Sequence, residues 1–387
     1  MVPLTKTPVN PHLRELSDSP IRPIHRKPLP ALTGVRFFAA MQVVFFHYGA
    51  GFALRHNFST PLYRLLDNGW TSVTLFFLLS GFILSYTYEG QIQGGQNRRH
   101  FWQARFARIY PVYFLSLVAM IPFAFSSGYP NAVHSAWQGL SVVAMVQAWN
   151  PFLPANAQIW NSPAWTLSVE AVFYLVFPFA VPALEKASSR VLRIAAVSLL
   201  LLIVFGHTMN PTGSSGTLFF IPLPIERLPE FLLGAIGGIV FLRSNPPRYP
   251  ILFAIASLLG IAIIETTVHG RWVSLLAIPF AVLLYSLADG KGFVARVLSS
   301  NTLVLLGGAS YSIYLLQVPV RLWAHRFLSR AGAVDAVVSP VLLVAISVLV
   351  FLAWEEPARR WIRNRFRASQ KTQRNPSPAP VSPMNAP

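Results

Sequence analysis

The stretch Arg36-Phe-Phe-Ala-Ala-Met-Gln-Val-Val-Phe-Phe-His47 places an arginine and a histidine at the two ends of a strongly apolar run, in which only Gln42 is polar. A cation and an imidazole are costly to place in hydrocarbon, so such a pair inside a membrane helix indicates a functional site. On a helix, positions eleven apart share nearly the same face and lie about 16 Å from one another. We therefore expect Arg36 at a membrane edge and His47 in the membrane interior.

The composition around this stretch is that of a polytopic membrane protein. The chain has 387 residues, of which 53% are hydrophobic and only 11% are charged, whereas soluble proteins average roughly 25% charged residues. A formal charge of +18 would also suit a nucleic-acid-binding protein, so the positions of the charges must decide. Cysteine is absent, which excludes disulfides, a thiolate nucleophile and a cysteine-ligated zinc site.

Ten apolar stretches are long enough to cross a bilayer core, and they predict an all-α bundle of about ten transmembrane helices. The segment 136–149 is too short, and we assign it no crossing. The ten stretches lie near residues 31–54, 69–88, 106–127, 165–184, 191–207, 227–243, 249–267, 272–288, 302–324 and 337–354.

Lysine and arginine collect in cytoplasmic loops, and with ten spans most of the basic residues fall on the side that holds both termini. Both termini are therefore predicted to be cytoplasmic, and the positive charge is mainly a topology signal, with no nucleic-acid partner. We expect a disordered cytoplasmic tail over 1–30, a transmembrane domain over 31–357 and a basic, proline-rich cytoplasmic tail over 358–387. The predicted location is the inner (cytoplasmic) membrane.

Two residues are the candidates for catalysis. His47 is predicted to lie in the external half of the bilayer, and Glu170, near the external start of the fourth span, is predicted at the same depth. A carboxylate that orients an imidazole ring produces a general base able to deprotonate a hydroxyl. The structural alternatives are a buried neutral histidine and a carboxylate that caps the start of its helix.

The candidates for donor binding are Arg36, Arg105 and Arg108. Arg105 and Arg108 share a helix face at a spacing of three, and arginines in such a cluster can bind phosphates. On the sequence alone, ordinary positive-inside anchoring is the better explanation for this cluster.

Five further residues are predicted to support the site. For Ser80, helix packing is the main expectation, and Trp165 opens the same motif as Glu170. Arg227 and Glu230 form a potential ion pair, and Tyr311 provides a polar group in the membrane. The sequence contains no P-loop, no G-x-S-x-G and no H-E-x-x-H motif, and we expect no metal site.

Seven fragments occur in an order that resembles the acyltransferase 3 family of integral membrane proteins, over residues 30–365. They are Leu32-Thr-Gly-Val-Arg36 with His47, Phe76-Phe-x-x-Ser80-Gly81-Phe82, Arg105-x-x-Arg108-Ile-Tyr-Pro111, Trp165-Thr-Leu-Ser-Val-Glu170, Arg227-x-x-Glu230-Phe-x-x-Gly234, Ser310-Tyr-Ser-Ile-Tyr314 and Glu356-Pro357.

The resemblance implies about ten helices and an acyl-CoA co-substrate, often acetyl-CoA, used from the cytoplasmic side, with no bound cofactor. The acceptor would be a hydroxyl of a cell-envelope carbohydrate, glycolipid or related molecule, met in the membrane or at its outer face. The resemblance also assigns the essential histidine to His47 and its arginine partner to Arg36, with Glu170, Arg105 and Arg108 as further functional positions. One departure is Gln317, where the family often has histidine.

Three functions remain open on the sequence. The first is membrane O-acyl transfer, either directly or through an acyl-histidine. The second is a transporter or flippase of a glycolipid or small solute, since buried charges in many spans also suit translocation. The third is a noncatalytic scaffold. Acceptor specificity is expected in loops 128–164 and 208–226, and the oligomeric state is not predicted.

Overall fold

A computed structural model describes residues 26–92, 94–149, 157–209, 222–244, 248–268, 270–327 and 337–374, and these residues form helices and turns with no strand. The helices, numbered in chain order, are α1 (Pro30–Arg55), α2 (Thr60–Asp67), α3 (Ser72–Tyr88), α4 (Gly94–Ala124), α5 (Ala136–Val143), α6 (Trp165–Lys186), α7 (Ser189–Met209), α8 (Leu223–Glu226), α9 (Leu228–Arg243), α10 (Pro250–Thr267), α11 (Ala277–Ala288), α12 (Phe293–Leu298), α13 (Asn301–Gly308), α14 (Ser310–Phe327), α15 (Ser339–Val350) and α16 (Glu356–Arg374).

All ten predicted apolar stretches coincide with helices. In the described part of the chain, seven helices are long and apolar enough to cross a membrane. An eighth candidate is the pair α13 and α14, which is bent by 56°. The two remaining stretches form α9 and the shorter apolar helix Trp272–Ala288, so ten crossings and two cytoplasmic termini remain predictions.

The outward faces of the bundle are apolar, as expected for a chain in contact with lipid. Large side chains such as Leu201 on α7, at 65% exposure, and Leu259 on α10, at 58%, point away from the protein. Soluble monomers rarely expose apolar surface on this scale. These faces support a multi-pass membrane protein.

Two glycines allow α3 and α9 to cross in direct backbone contact. A Cβ at Gly81 would lie 2.0 Å from the Phe231 carbonyl oxygen, and a Cβ at Gly234 would lie 1.9 Å from the Leu78 carbonyl oxygen. Both distances are far below any van der Waals contact, so only glycine fits at either position. In the Ser80-Gly81 step it is therefore Gly81 that allows the helices to approach closely.

We expect Gly81→Ala to destabilise the protein by roughly 1–3 kcal/mol or more, because the backbone of α9 must move to admit the methyl group. The thermal unfolding midpoint in detergent measures this loss. Gly260→Ala is the matched control, since its new Cβ would meet only Pro279 Cβ at 3.8 Å. Equal midpoints for the two variants would contradict the proposed close crossing.

The segment before α6 enters the bundle, and this sets the depth at which α6 begins. Asn161 is fully buried, and its side-chain amide donates to Ser116 Oγ at 3.1 Å on α4 and to the Leu315 carbonyl at 3.0 Å on α14. The Trp160 indole donates to the Leu117 carbonyl at 3.0 Å. These partners lie about two turns from the end of α4 and more than one turn from the start of α14, so α6 starts inside the bundle.

The structure adds detail at the end of the predicted domain. A π-helical turn, Phe351–Glu355, joins α15 to α16, which continues to Arg374, so the described part of the predicted basic tail is helical. Residues 1–25 and 375–387 lie outside the described part of the chain, as do 150–156 and 210–221 of the two predicted acceptor loops. Helix α5 has eight residues, too few to cross a bilayer, as predicted for segment 136–149.

Candidate functional site

An elongated cavity of about 130 Å³ lies among five helices and gathers most of the predicted site residues. Helix α1 contributes Arg36, α4 contributes Arg105 and Arg108, and the other walls come from α3, α6 and α14. The lining residues are Arg36, Val73, Phe76, Phe77, Leu79, Ser80, Ile83, Leu84, Arg105, Arg108, Thr166, Leu167, Glu170, Tyr174, Ser310, Tyr311 and Tyr314.

The cavity is long and narrow. Its lining on α3 extends from Leu84 back to Val73, a rise of about 16 Å at 1.5 Å per residue. We call the end lined by Arg36, Arg105 and Arg108 the arginine end, and the end lined by Val73, Thr166 and Tyr314 the far end. Phe76 packs edge-on against Tyr314 near the far end, with ring centroids 6.0 Å apart.

Aromatic rings hold the Arg105 guanidinium at the arginine end. Its carbon lies 5.6 Å from the ring centroid of Tyr88, 5.8 Å from that of Phe101 and 6.0 Å from that of Tyr174. Nη2 also donates to the Tyr88 hydroxyl at 3.3 Å, while Nε is buried without a partner in the described structure. Arg105 is thus oriented by rings and keeps donor capacity for a ligand.

Glu170 lies at the arginine end, and this corrects the predicted pairing with His47. The groups that act electrostatically on its carboxylate are Tyr174, Arg108, Arg36 and Arg105. The physical reason is the deep start of α6, which carries Glu170 past the depth expected for a helix that begins at the membrane surface. In the described structure, Glu170 therefore balances the arginine charge and does not orient the His47 ring.

A second carboxylate, Glu355, was missed by the sequence analysis. It is fully buried, accepts a hydrogen bond from Ser312 Oγ at 2.8 Å, and interacts electrostatically with Arg108 and Arg36. Its Oε1 atom has no partner in the described structure. The available signal was a carboxylate directly after an apolar span, one residue before the Glu356-Pro357 fragment.

His47 lies on α1 beside α14, outside the cavity lining. Its Nδ1 is 3.3 Å from the Val43 carbonyl, and Arg321 Nη1 donates to the His47 carbonyl at 2.8 Å. When Nδ1 carries the proton and donates to Val43, Nε2 holds the free lone pair. The ring is half-buried, so Nε2 is the nitrogen available to a substrate.

Two contacts fix the height of His47 along α1 relative to the far end of the cavity. Ser72, the neighbour of Val73, donates to Gln42 Oε1 at 2.5 Å, and Gln42 precedes His47 by a helical rise of about 7.5 Å. On the other wall, the hydroxyl of Tyr48 donates to the carbonyl of Gln317, one turn after Tyr314. The cavity thus runs from the arginines to within one or two helical turns of His47.

Three of the predicted supporting residues lie outside the cavity. Arg227 and Glu230 form a buried ion pair with Nη1 and Oε1 2.9 Å apart, and Thr74 Oγ1 donates to the same carboxylate oxygen at 3.1 Å. The Arg227 guanidinium carbon lies 6.0 Å from the Trp165 ring centroid. Trp165 in turn packs edge-on against Phe77, with centroids 6.4 Å apart, so this group supports the cavity wall from behind.

Ser80 and Tyr311, the other two supporting residues, line the cavity. The Tyr311 hydroxyl donates to the Ile109 carbonyl at 2.7 Å, which fixes the ring beside Arg108 on α4.

The family model of acyltransferase domains, acyltransferase 3, matches residues 29–354. The chain belongs to the acyltransferase 3 family. The resemblance found in the sequence is therefore confirmed, and the chain is a multi-pass membrane O-acyltransferase.

Named relatives agree with this membership. The chain is 30% identical to acyltransferase MdmB of Streptomyces mycarofaciens over 367 residues, which cover 87% of this chain and 93% of the relative. It is 22% identical to O-acetyltransferase OatA of Staphylococcus aureus (strain NCTC 8325 / PS 47) over 369 residues, 88% of this chain but only 57% of the relative. No solved structure matches the chain.

Gln317 occupies the position at which the acyltransferase 3 family often has histidine, and the structure shows what the glutamine does. Gln317 is fully buried, and its side-chain amide donates to the Tyr314 carbonyl at 2.8 Å. A side-chain amide is neither protonated nor deprotonated near neutral pH, so Gln317 does not carry a proton. Its hydrogen bond to the Tyr314 carbonyl stays within α14, between the far end and His47.

Proposed function

We propose that this acyltransferase moves an acyl group, most simply acetyl, from cytoplasmic acyl-CoA to a hydroxyl of a cell-envelope carbohydrate or glycolipid. The observation that carries the proposal is the elongated cavity, which begins among three arginines and ends within one or two turns of a histidine. The donor is an anion with a long, thin arm, and the cavity has an anion-binding end and a narrow interior.

The volume of the cavity decides which part of the donor enters it. A cavity of about 150 Å³ holds one benzene molecule, so 130 Å³ spread along two or three helical turns admits only a slender chain. The pantetheine arm and its thioester fit this shape. The nucleotide stays outside the arginine end, where Arg36, Arg105 and Arg108 attract its phosphates.

Beyond the far end, on α1, His47 acts as the general base. Nε2 takes the proton from the acceptor hydroxyl as its oxygen attacks the thioester carbonyl. The carbon–sulfur bond breaks, the new ester forms, and the thiolate leaves and is protonated to free CoA. Glu170 keeps the arginine end electrically balanced.

Transfer of label tests this function. Purified protein in proteoliposomes receives acetyl-CoA labelled in the acetyl group together with envelope glycans and glycolipids, and alkali-labile label on the acceptor is measured. We expect label in an ester, lost upon mild alkali treatment. Movement of unmodified solute across the vesicle without acyl transfer would overturn the proposal in favour of a transporter or flippase.

A further inference from the structure

Helix α16 brings a second group of arginines to the arginine end of the cavity. The indole of Trp354, just before α16, donates to the Pro111 carbonyl of α4 at 3.0 Å, and α16 packs along α4. Arg359 consequently lies close enough to interact electrostatically with Arg108 and Glu355. The positive lining of the cavity continues onto the first turns of α16.

Arg363 extends the same face by one turn. Residues four apart on a helix lie one above the other, and Arg359 interacts electrostatically with Arg363. Arg363 is exposed, whereas Arg359 is half-buried. A row of cations therefore runs outward from the cavity through Arg108, Arg359 and Arg363.

The carboxylates nearby do not neutralise this row. Glu356 accepts a hydrogen bond from Arg359 Nη2 at 2.9 Å, and the same carboxylate lies 3.7 Å from Arg360 Nε. The Nε atom of Arg359 is buried without a partner in the described structure. Around the arginine end, five arginines face three carboxylates, so positive charge is in excess. The arginines are Arg36, Arg105, Arg108, Arg359 and Arg363, and the carboxylates are Glu170, Glu355 and Glu356.

We propose that Arg359 and Arg363 of α16 form a phosphate subsite for the 3′-phosphate of the acyl-CoA nucleotide. This inference rests on the proposed function. The pyrophosphate adjoins the pantetheine arm and lies near the cavity arginines, whereas the 3′-phosphate is on the ribose, farther from the thioester. It needs cations outside the cavity, and the outward row supplies them.

The test compares acetyl-CoA with acetyl-3′-dephospho-CoA, using full-length protein in phosphatidylcholine vesicles. In the wild-type protein, loss of one charge-assisted phosphate contact should raise KM about tenfold with kcat unchanged. Arg363→Gln should raise KM for acetyl-CoA by a smaller factor, because Arg359 remains, and should show a smaller further rise with the dephospho donor than the wild-type protein does. Arg359→Gln should behave in the same way. If Arg359→Gln fails to fold, Arg363→Gln still tests the subsite, because the Arg363 side chain is exposed and its loss should not affect folding.

Arg365→Gln is the matched control, because Arg365 belongs to the same helix but stacks on Trp361 at 5.3 Å, away from the Arg359 face. It should leave both KM values unchanged. An Arg363→Gln effect of equal size for both donors, or none, would overturn the subsite. So would an effect seen only in vesicles with anionic lipid, which would indicate a headgroup contact. If the wild type uses neither donor, the proposed function itself fails.

Discussion

Replacing His47 by alanine is expected to lower the rate of acyl transfer by about 10²- to 10⁴-fold, the usual contribution of a positioned general base. The substitution removes only the ring, because the Arg321 contact is made to the backbone carbonyl of residue 47. Helix α1 should therefore remain in place. The measurement is kcat with labelled acyl-CoA at matched levels of membrane-inserted protein.

A second histidine, at the end of α1, provides a close control for this variant. His56 follows the end of α1 and places Nδ1 3.0 Å from the Phe52 carbonyl, as His47 does with Val43, but it is exposed. His56→Ala should keep wild-type activity. A His47→Ala enzyme that transfers acyl groups at the wild-type rate would remove His47 from the mechanism.

Replacing Arg108 by glutamine is expected to raise KM for acyl-CoA about tenfold or more, because the arginine end loses a guanidinium group that can bind a phosphate through two hydrogen bonds. Arg108→Lys should recover part of the affinity, since lysine keeps the charge but not the planar fork. Steady-state kinetics across acyl-CoA concentrations measure both effects. Arg64→Gln is the control, because half-buried Arg64 on α2 donates to the Thr267 carbonyl at 2.8 Å and does not line the cavity.

Arg108 also faces the buried carboxylate Glu355, so its loss should lower the thermal midpoint as well. Adding Glu355→Gln should restore stability without restoring donor affinity. This double variant separates charge balance within the bundle from donor binding. Recovery of KM in the double variant would contradict a direct role for Arg108 at the donor.

Helical periodicity was sufficient to predict the spacing of Arg36 and His47 along one helix. Both lie on α1, about three turns apart, and a cavity follows that direction from the arginine end. The grouping of Arg36, Arg105 and Arg108 was also predictable, because all three lie toward the N-terminal ends of neighbouring spans. Their roles in donor binding remain predictions.

The depth of Glu170 could not be predicted, because a sequence does not show that the segment before a span enters the bundle. That depends on contacts of Asn161 with distant residues on α4 and α14. Glu355 was overlooked for a related reason: the π-helical turn Phe351–Glu355 sets the direction of its side chain, and apolar periodicity does not reveal such a turn. The extension of α16 to Arg374 was hidden by the high charge of that segment.

The central claim, that the donor arm occupies the cavity from the arginines to the far end, can be tested by alkylation of single cysteines. The chain has no cysteine, so an introduced thiol is unique. Thr166→Cys places a thiol at the far end and Ser80→Cys places one midway along α3. Ser85→Cys, also on α3 and fully buried, lies outside the cavity lining and serves as the control.

Each variant is treated with bromoacetyl-CoA, with and without excess acetyl-CoA, and alkylation is followed by intact-protein mass spectrometry. The account predicts rapid alkylation of the cysteines at 166 and 80, protection by acetyl-CoA, and no alkylation at 85. Failure to alkylate position 166, or equal labelling at 85 without protection, would contradict the account.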